Sequence, residues 1–222
     1  MNFTQRYYDS CDIKISEKYK YYVSTKLNVL PVVSMTQIYM KRKSVFIAGT
    51  ALLGAVVAVL DWTFKLAGLK IPFPLLPTIL KFDALGIPML LSYFLFGFLS
   101  GTITSLVSWL SISFRDPFSG FMKFLAEFST IAGVFLVLRA RRPTGKLWKA
   151  LSMASGVFVR VIVMAIANYA LLPLFTTTRI EVVLAWLPAI SIFNGIQGMV
   201  SVFGGFLVYE AIILRLPSLK AD

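Results

Sequence analysis

Three amide side chains interrupt apolar runs long enough to cross a membrane. Asn168 lies mid-run, two residues before Ala170-Leu-Leu-Pro173, and Asn194 and Gln197 are three apart in Phe193-Asn-Gly-Ile-Gln-Gly198. That spacing puts Asn194 and Gln197 on one helix face. A polar side chain within a span is costly and turns toward the bundle interior or a cavity. Two readings stand for each amide. It can hydrogen-bond a neighbouring helix, worth about 0.6 kcal/mol per contact, or it can meet a ligand. Three amides at similar depth favour a polar, uncharged ligand. Amides offer donor and acceptor together, which suits a heterocycle of alternating C=O and N–H groups.

Other candidates are weaker. Lys123 and Glu127 stand i,i+4 and either pair with each other or touch a ligand. Arg160 and Asp61 are read as snorkelling or interface residues. Phe82, Tyr93, Trp109 and Tyr169 offer faces for stacking, but with 14% aromatics the default is core and interface belts. No catalytic set and no metal site emerge. His is absent, Cys11 stands alone, and there is no phosphate loop, zinc signature or paired intramembrane aspartate. The lone cysteine also excludes an intramolecular disulfide.

The elements that carry these residues belong in a bilayer. The chain is 58% hydrophobic and 14% charged, with a mean hydropathy of +0.79, far from a soluble domain's composition. About 20 apolar residues span a membrane as a helix, so the apolar stretch predicts an all-α bundle of six transmembrane helices. The expected spans are 44–68, 83–96, 101–113, 118–138, 147–175 and 186–214. Residues 69–82 hold three prolines, Pro72, Pro74 and Pro77, which exclude a regular helix. Being apolar all the same, this segment is expected to fold back as a lid on the outer face. Two domains follow: a basic cytoplasmic extension, 1–43, and a membrane-embedded substrate-binding domain, 44–222. No secretory signal peptide is expected at the start, which lacks an apolar core before a cleavage site.

The net charge of +12 is distributed as the positive-inside rule requires, rather than as a nucleic-acid patch. With the N-terminus inside, fifteen Lys and Arg fall on the inner side and six on the outer, leaving out Arg160. Both termini are therefore expected in the cytoplasm and the protein in the cell membrane as a multi-pass chain.

On the first span, Ala51, Ala55 and Ala58 join Gly54 in two small-xxx-small pairs. Small faces let helices approach closely in lipid. The face either packs inside the bundle or docks another membrane subunit.

Ile71-Pro-Phe-Pro, followed by Leu80-Lys-Phe-Asp-Ala-Leu-Gly-Ile-Pro and Phe94-Leu-Phe-Gly97, resembles the first loop and second helix of S components of energy-coupling factor (ECF) vitamin transporters. The riboflavin-specific members are the most similar. Asn168-Tyr-Ala-Leu-Leu-Pro173 is similar to their fifth helix, and Leu187-Pro-Ala-Ile with Phe193-Asn-Gly-Ile-Gln-Gly198 to their sixth. The resemblance covers about residues 45–214. It implies a six-helix vitamin-binding subunit working with a transmembrane coupling subunit and two cytoplasmic ATPases. The first loop, with Lys81 and Phe82, would close the site. Asn168 and Asn194 would match ligand-contacting amides, with Gln197 at a position that is often Lys. Ala51 and Ala55 would form the docking face. Riboflavin would be transported cargo, with no cofactor. Competing readings are an S component for another vitamin or precursor, a structural or regulatory membrane protein, and an intramembrane enzyme.

Overall fold

The structure is a computed structural model and describes residues 33–77, 80–140 and 146–216. The chain divides into two compact units, Met1–Ser44 and Val45–Asp222. Of the first, the structure describes only the opening turns of a helix; the rest of the expected extension lies outside the described residues.

Six helices are described: α1 Val33–Leu66, α2 Gly86–Phe96, α3 Phe98–Ser113, α4 Pro117–Ala140, α5 Lys146–Phe175 and α6 Ile180–Arg215. Four of them, α1, α4, α5 and α6, are long and apolar enough to cross a membrane. The other two are shorter: at 1.5 Å per residue, α2 rises only about 16 Å and α3 about 24 Å. In the unit Val45–Asp222, α4 packs on α3 and α5, and α6 packs on α5 and α2.

The all-α expectation holds, with shifted boundaries. The first helix begins at Val33 rather than at residue 44, although its span-like part is Lys43–Leu66. The second begins at Gly86 because Asp83 takes over its approach: the Asp83 carboxylate accepts a hydrogen bond from Leu85 N at 3.2 Å. The last begins at Ile180 rather than Trp186 and runs through Pro188, as α5 runs through Pro173. A proline forfeits one backbone bond, which neighbouring helices make tolerable in a membrane bundle.

Between α1 and α2 the proline-rich segment forms a hairpin. β1 (Ile71–Pro72) pairs antiparallel with β2 (Lys81–Phe82), placing Ile71 opposite Phe82 and Pro72 opposite Lys81. Phe73 N donates to Leu80 O at 2.9 Å and extends the pairing. Leu76 and Leu80 then pack against Leu172, Val183 and Ile190, so the hairpin does lie back on the bundle.

The α2–α3 turn is a single residue. Gly97 adopts φ +89°, a backbone that L side chains avoid, and reverses the chain with no loop. Ser100, one turn later, accepts or donates within 2.6 Å of both Thr50 and Ser92, so a buried hydroxyl cluster ties α1, α2 and α3 together. At the other side of α4, an added Cβ at Gly133 would sit 2.9 Å from the Cα of Gly156 on α5. Those two glycines let α4 and α5 touch backbone to backbone. The α4 start is capped by Asp116, whose carboxylate accepts from Phe118 N and Ser119 N. The Ser119 hydroxyl also donates to it and holds the carboxyl below the usual carboxylate range.

Asp61 corrects the snorkelling reading. It is 0% exposed. Its carboxylate meets Lys70 Nζ at 3.2 Å, the Arg115 guanidinium, and the Ser111 hydroxyl at 3.4 Å. Arg115 in turn lies 4.9 Å from the Trp62 ring. One carboxylate thus joins the end of α1, the stem of the hairpin and the α3–α4 turn. Its partners lie 9, 50 and 54 residues away, so nothing in its own helix announces them. Asp61→Asn should leave two cations facing each other. The expected cost is about 2–3 kcal/mol, below that of a fully buried pair because both cations keep some water. A lowered thermal midpoint in detergent would show this; an unchanged one would make the cluster a bystander.

Candidate functional site

The amide residues do converge. A cavity of about 300 Å³ opens between the hairpin and the helices that follow it. Asn168, Asn194 and Gln197 all line it, as do Lys81 and Lys123. Its apolar walls include Met122, Met164, Leu172 and Phe193. Apolar walls with a few convergent polar groups are the usual make-up of a small-molecule site.

Two of the three amides are held by their own helices. Asn168 Nδ2 donates to Met164 O at 2.7 Å and Asn194 Nδ2 to Ile190 O at 2.9 Å. Gln197 instead reaches across the sequence, its Nε2 donating to Asp83 O at 2.7 Å. The three are 7%, 2% and 2% exposed.

The roof is aromatic. Phe82, at the end of the hairpin, lies 4.8 Å from Phe193, and Phe73 lies 5.5 Å from the same ring. Phe82 therefore reaches the cavity through Phe193. Lys81, opposite Pro72 in the hairpin, is exposed at the cavity's edge.

A chain of buried charge runs through the lining: Asp83, Lys123 and Arg160 face the cavity, and Glu127 joins them from behind. Lys123 Nζ lies 2.7 Å from Asp83 Oδ1 and 3.1 Å from Glu127 Oε1. The i,i+4 pairing read from the sequence is thus present and is one link of four groups. Glu127 Oε1 is also 3.0 Å from Arg160 Nη1. Arg160 then donates from Nε to Asn194 Oδ1 and from Nη1 to Thr130 Oγ1, both at 3.3 Å. Two carboxylates and two cations balance, as burial demands.

Arg160 is thus the second correction: at 2% exposure it lies inside the bundle and does not snorkel. Its charge is satisfied there, so it need not seek an interface. Of the stacking candidates, Tyr93 is buried in the core with Leu90, Ile131 and Val202, and Trp109 packs on Phe121 and Phe124. Tyr169 is 45% exposed, although it neighbours Asn168. None of these three lines the cavity. Sequence reasoning passed over Asp83 and Arg160 as site residues. Their signal was present: both are charges set among apolar residues without a local partner.

No family model matches the chain. The riboflavin transporter RibU of Staphylococcus aureus (strain TCH60) is 36% identical over 116 residues, a match covering 50% of this chain. That match spans 60% of the relative's own length. A solved chain, described as the S component of a bacterial ECF transporter, superposes with a TM-score of 0.67 at 28% identity. The overlap covers 78% of this chain and 98% of that one. The chain is therefore similar to an ECF S component in fold and to a riboflavin transporter in sequence.

The likeness recovers the family expected from Ile71-Pro-Phe-Pro and the downstream motifs, and with it the six-helix, multi-pass membrane architecture. On α1, Ala51 and Ala55 are exposed and Ala58 is half-buried. Within that segment Gly54 packs inward, where a Cβ would meet Val107 at 3.5 Å, and Val57 is buried against Leu85 and Met89. Internal packing of α1 therefore uses the glycine and leaves the alanines open.

Proposed function

We propose that this chain is an ECF S component that captures riboflavin or a closely related flavin in the amide-lined cavity, for ATP-driven uptake with partner subunits. The observation that carries it is the cavity itself: three oriented amides beneath an apolar aromatic hairpin. The similarity to RibU supports the choice of flavin. A planar ring suits the aromatic roof, and its alternating C=O and N–H edge suits amides.

The partners in this reading are a transmembrane coupling subunit and two cytoplasmic ATPases. The chain has no phosphate loop of its own, so the reading assigns it no ATP hydrolysis and no enzymatic role. The exposed Ala51–Ala55 face is the proposed docking surface. Both termini are placed inside, and residues 1–43 with them, because the Arg139–Lys149 stretch and the N-terminal segment carry most of the Lys and Arg.

Asn194→Ala tests the site. The change removes the acceptor for Arg160 Nε and one ligand-facing amide. Leaving a buried polar partner unsatisfied costs about 1–3 kcal/mol, so riboflavin affinity should fall roughly ten- to a hundredfold. Calorimetry showing an unchanged affinity would take Asn194 out of the site. If the parent chain binds no riboflavin, the ligand is another vitamin or precursor. Mass spectrometry of the compound released from purified protein would then name it.

A further inference from the structure

We propose that Asp61 is a positioning residue for ligand retention: through Lys70 it holds the first stem of the hairpin against the cavity. The inference rests on the flavin reading for its probe and goes beyond it to a residue outside the cavity.

The hairpin meets the bundle through two unequal stems. The second, at Asp83, is tied to two helices. Lys123 Nζ on α4 lies 2.7 Å from the Asp83 carboxylate, and Gln197 Nε2 on α6 donates to the Asp83 carbonyl at 2.7 Å. The first stem has far less. α1 ends at Leu66, and Gly68 at φ +65° turns the chain so that Lys70 reaches back to Asp61. From Ala67 to Pro72 every residue except Lys70 is exposed. Lys70 Nζ lies 3.2 Å from Asp61 Oδ1, and among the described residues this is the stem's one side-chain bond to the helices. A segment with little buried area and few bonds opens at low cost once such a bond is lost.

The cluster is built so that this arm can let go. One carboxylate faces two cations, Lys70 and Arg115, with the Ser111 hydroxyl at 3.4 Å. Either cation can leave and a balanced pair remains. Arg115 has a second partner in the Trp62 ring, 4.9 Å away, and sits in the α3–α4 turn. Lys70 sits on the exposed stem. Lys70 also lines the cavity, whereas Asp61, Arg115 and every other described residue of α1 do not. Asp61 thus acts on the cavity through Lys70. Ligand leaves from the open state, so release quickens with the open fraction while encounter is not slowed.

The test is a release cycle on the full chain in detergent, with riboflavin dissociation followed by its fluorescence after dilution. Lys70→Met leaves the balanced Asp61–Arg115 pair, so the fold holds while release quickens about tenfold. Asp61→Asn, which alters no cavity residue, should quicken release as much. The double variant should release no faster than Lys70→Met alone, because both changes break one bond. Association rates should stay within about threefold of the parent's, since encounter does not need the closed stem. Arg115→Met keeps the Asp61–Lys70 pair and should release at the parent's rate. An Asp61 that serves only the fold would lower the fraction of protein that binds and leave the rates of the rest unchanged, which overturns the proposal. So does a fast Lys70→Met beside a parent-like Asp61→Asn, which would make Lys70 a ligand contact. Effects that multiply in the double variant, or a fast Arg115→Met, also overturn it. Should Asp61→Asn fail to fold, Asp61→Asn with Arg115→Met removes the stranded guanidinium and carries the same expectation. Parent-like release throughout sinks this inference alone; no riboflavin binding by the parent sinks the flavin reading with it.

Discussion

Arg160→Met is expected to destabilise the bundle more than any other single change at the cavity. Arg160 is 2% exposed and Glu127 0%. Truncation leaves the Glu127 carboxylate with Lys123 alone, already shared with Asp83. Removing one partner of a buried ion pair costs about 3–5 kcal/mol, mostly the penalty of stranding the other charge. It also removes the donor that fixes Asn194 Oδ1. Riboflavin binding should be lost together with thermal stability.

A second variant separates those losses. Glu127→Leu combined with Arg160→Met deletes both charges, and replacing a buried pair by apolar residues is often neutral or stabilising by about 1–4 kcal/mol. The double variant should regain most of the melting midpoint. Its affinity should stay roughly tenfold low, because Asn194 has lost its anchor. Full recovery of affinity would show that Arg160 serves the fold and not the site. A single variant as stable as the parent would mean that water already solvates Glu127.

The contrast between amides and charges explains how far the sequence could be read. Asn168, Asn194 and Gln197 stand out because each interrupts an apolar run, and helix periodicity places the last two on one face. The hairpin was legible as a non-helical lid from Pro72, Pro74 and Pro77, since proline forbids the helix and apolarity forbids a solvated loop. Its strand pairing was not, because two-residue strands carry no periodic signal. Arg160 and Asp61 were misplaced for a different reason. Snorkelling is the default for a long or terminal charge with no local partner, and their partners come from other helices. Arg160 meets Glu127 on α4 and Asn194 on α6; Asp61 meets Arg115 beyond α3. Such pairs are set by helix packing, which close contacts such as Gly133 on Gly156 decide and which spacing within one segment cannot reveal.

Ala55→Leu should abolish assembly with the coupling subunit while leaving the cavity intact. Ala51 and Ala55 lie exposed on α1, and neither residue lines the cavity. Helices in lipid gain little from apolar contact as such, since the tails are as apolar as leucine. They associate where small residues allow backbones to close in. An isobutyl group at residue 55 holds a partner helix off and forfeits the dispersion contacts that only close approach provides. The bundle itself should be unaffected, because its α1 contacts run through Gly54, Val57 and the Thr50 hydroxyl. Riboflavin binding and the melting midpoint should therefore match the parent. Co-purification with the coupling subunit and cellular uptake should fall to background. Loss of binding along with uptake would point to misfolding. Assembly and uptake at the parent's level would return this face to the lipid.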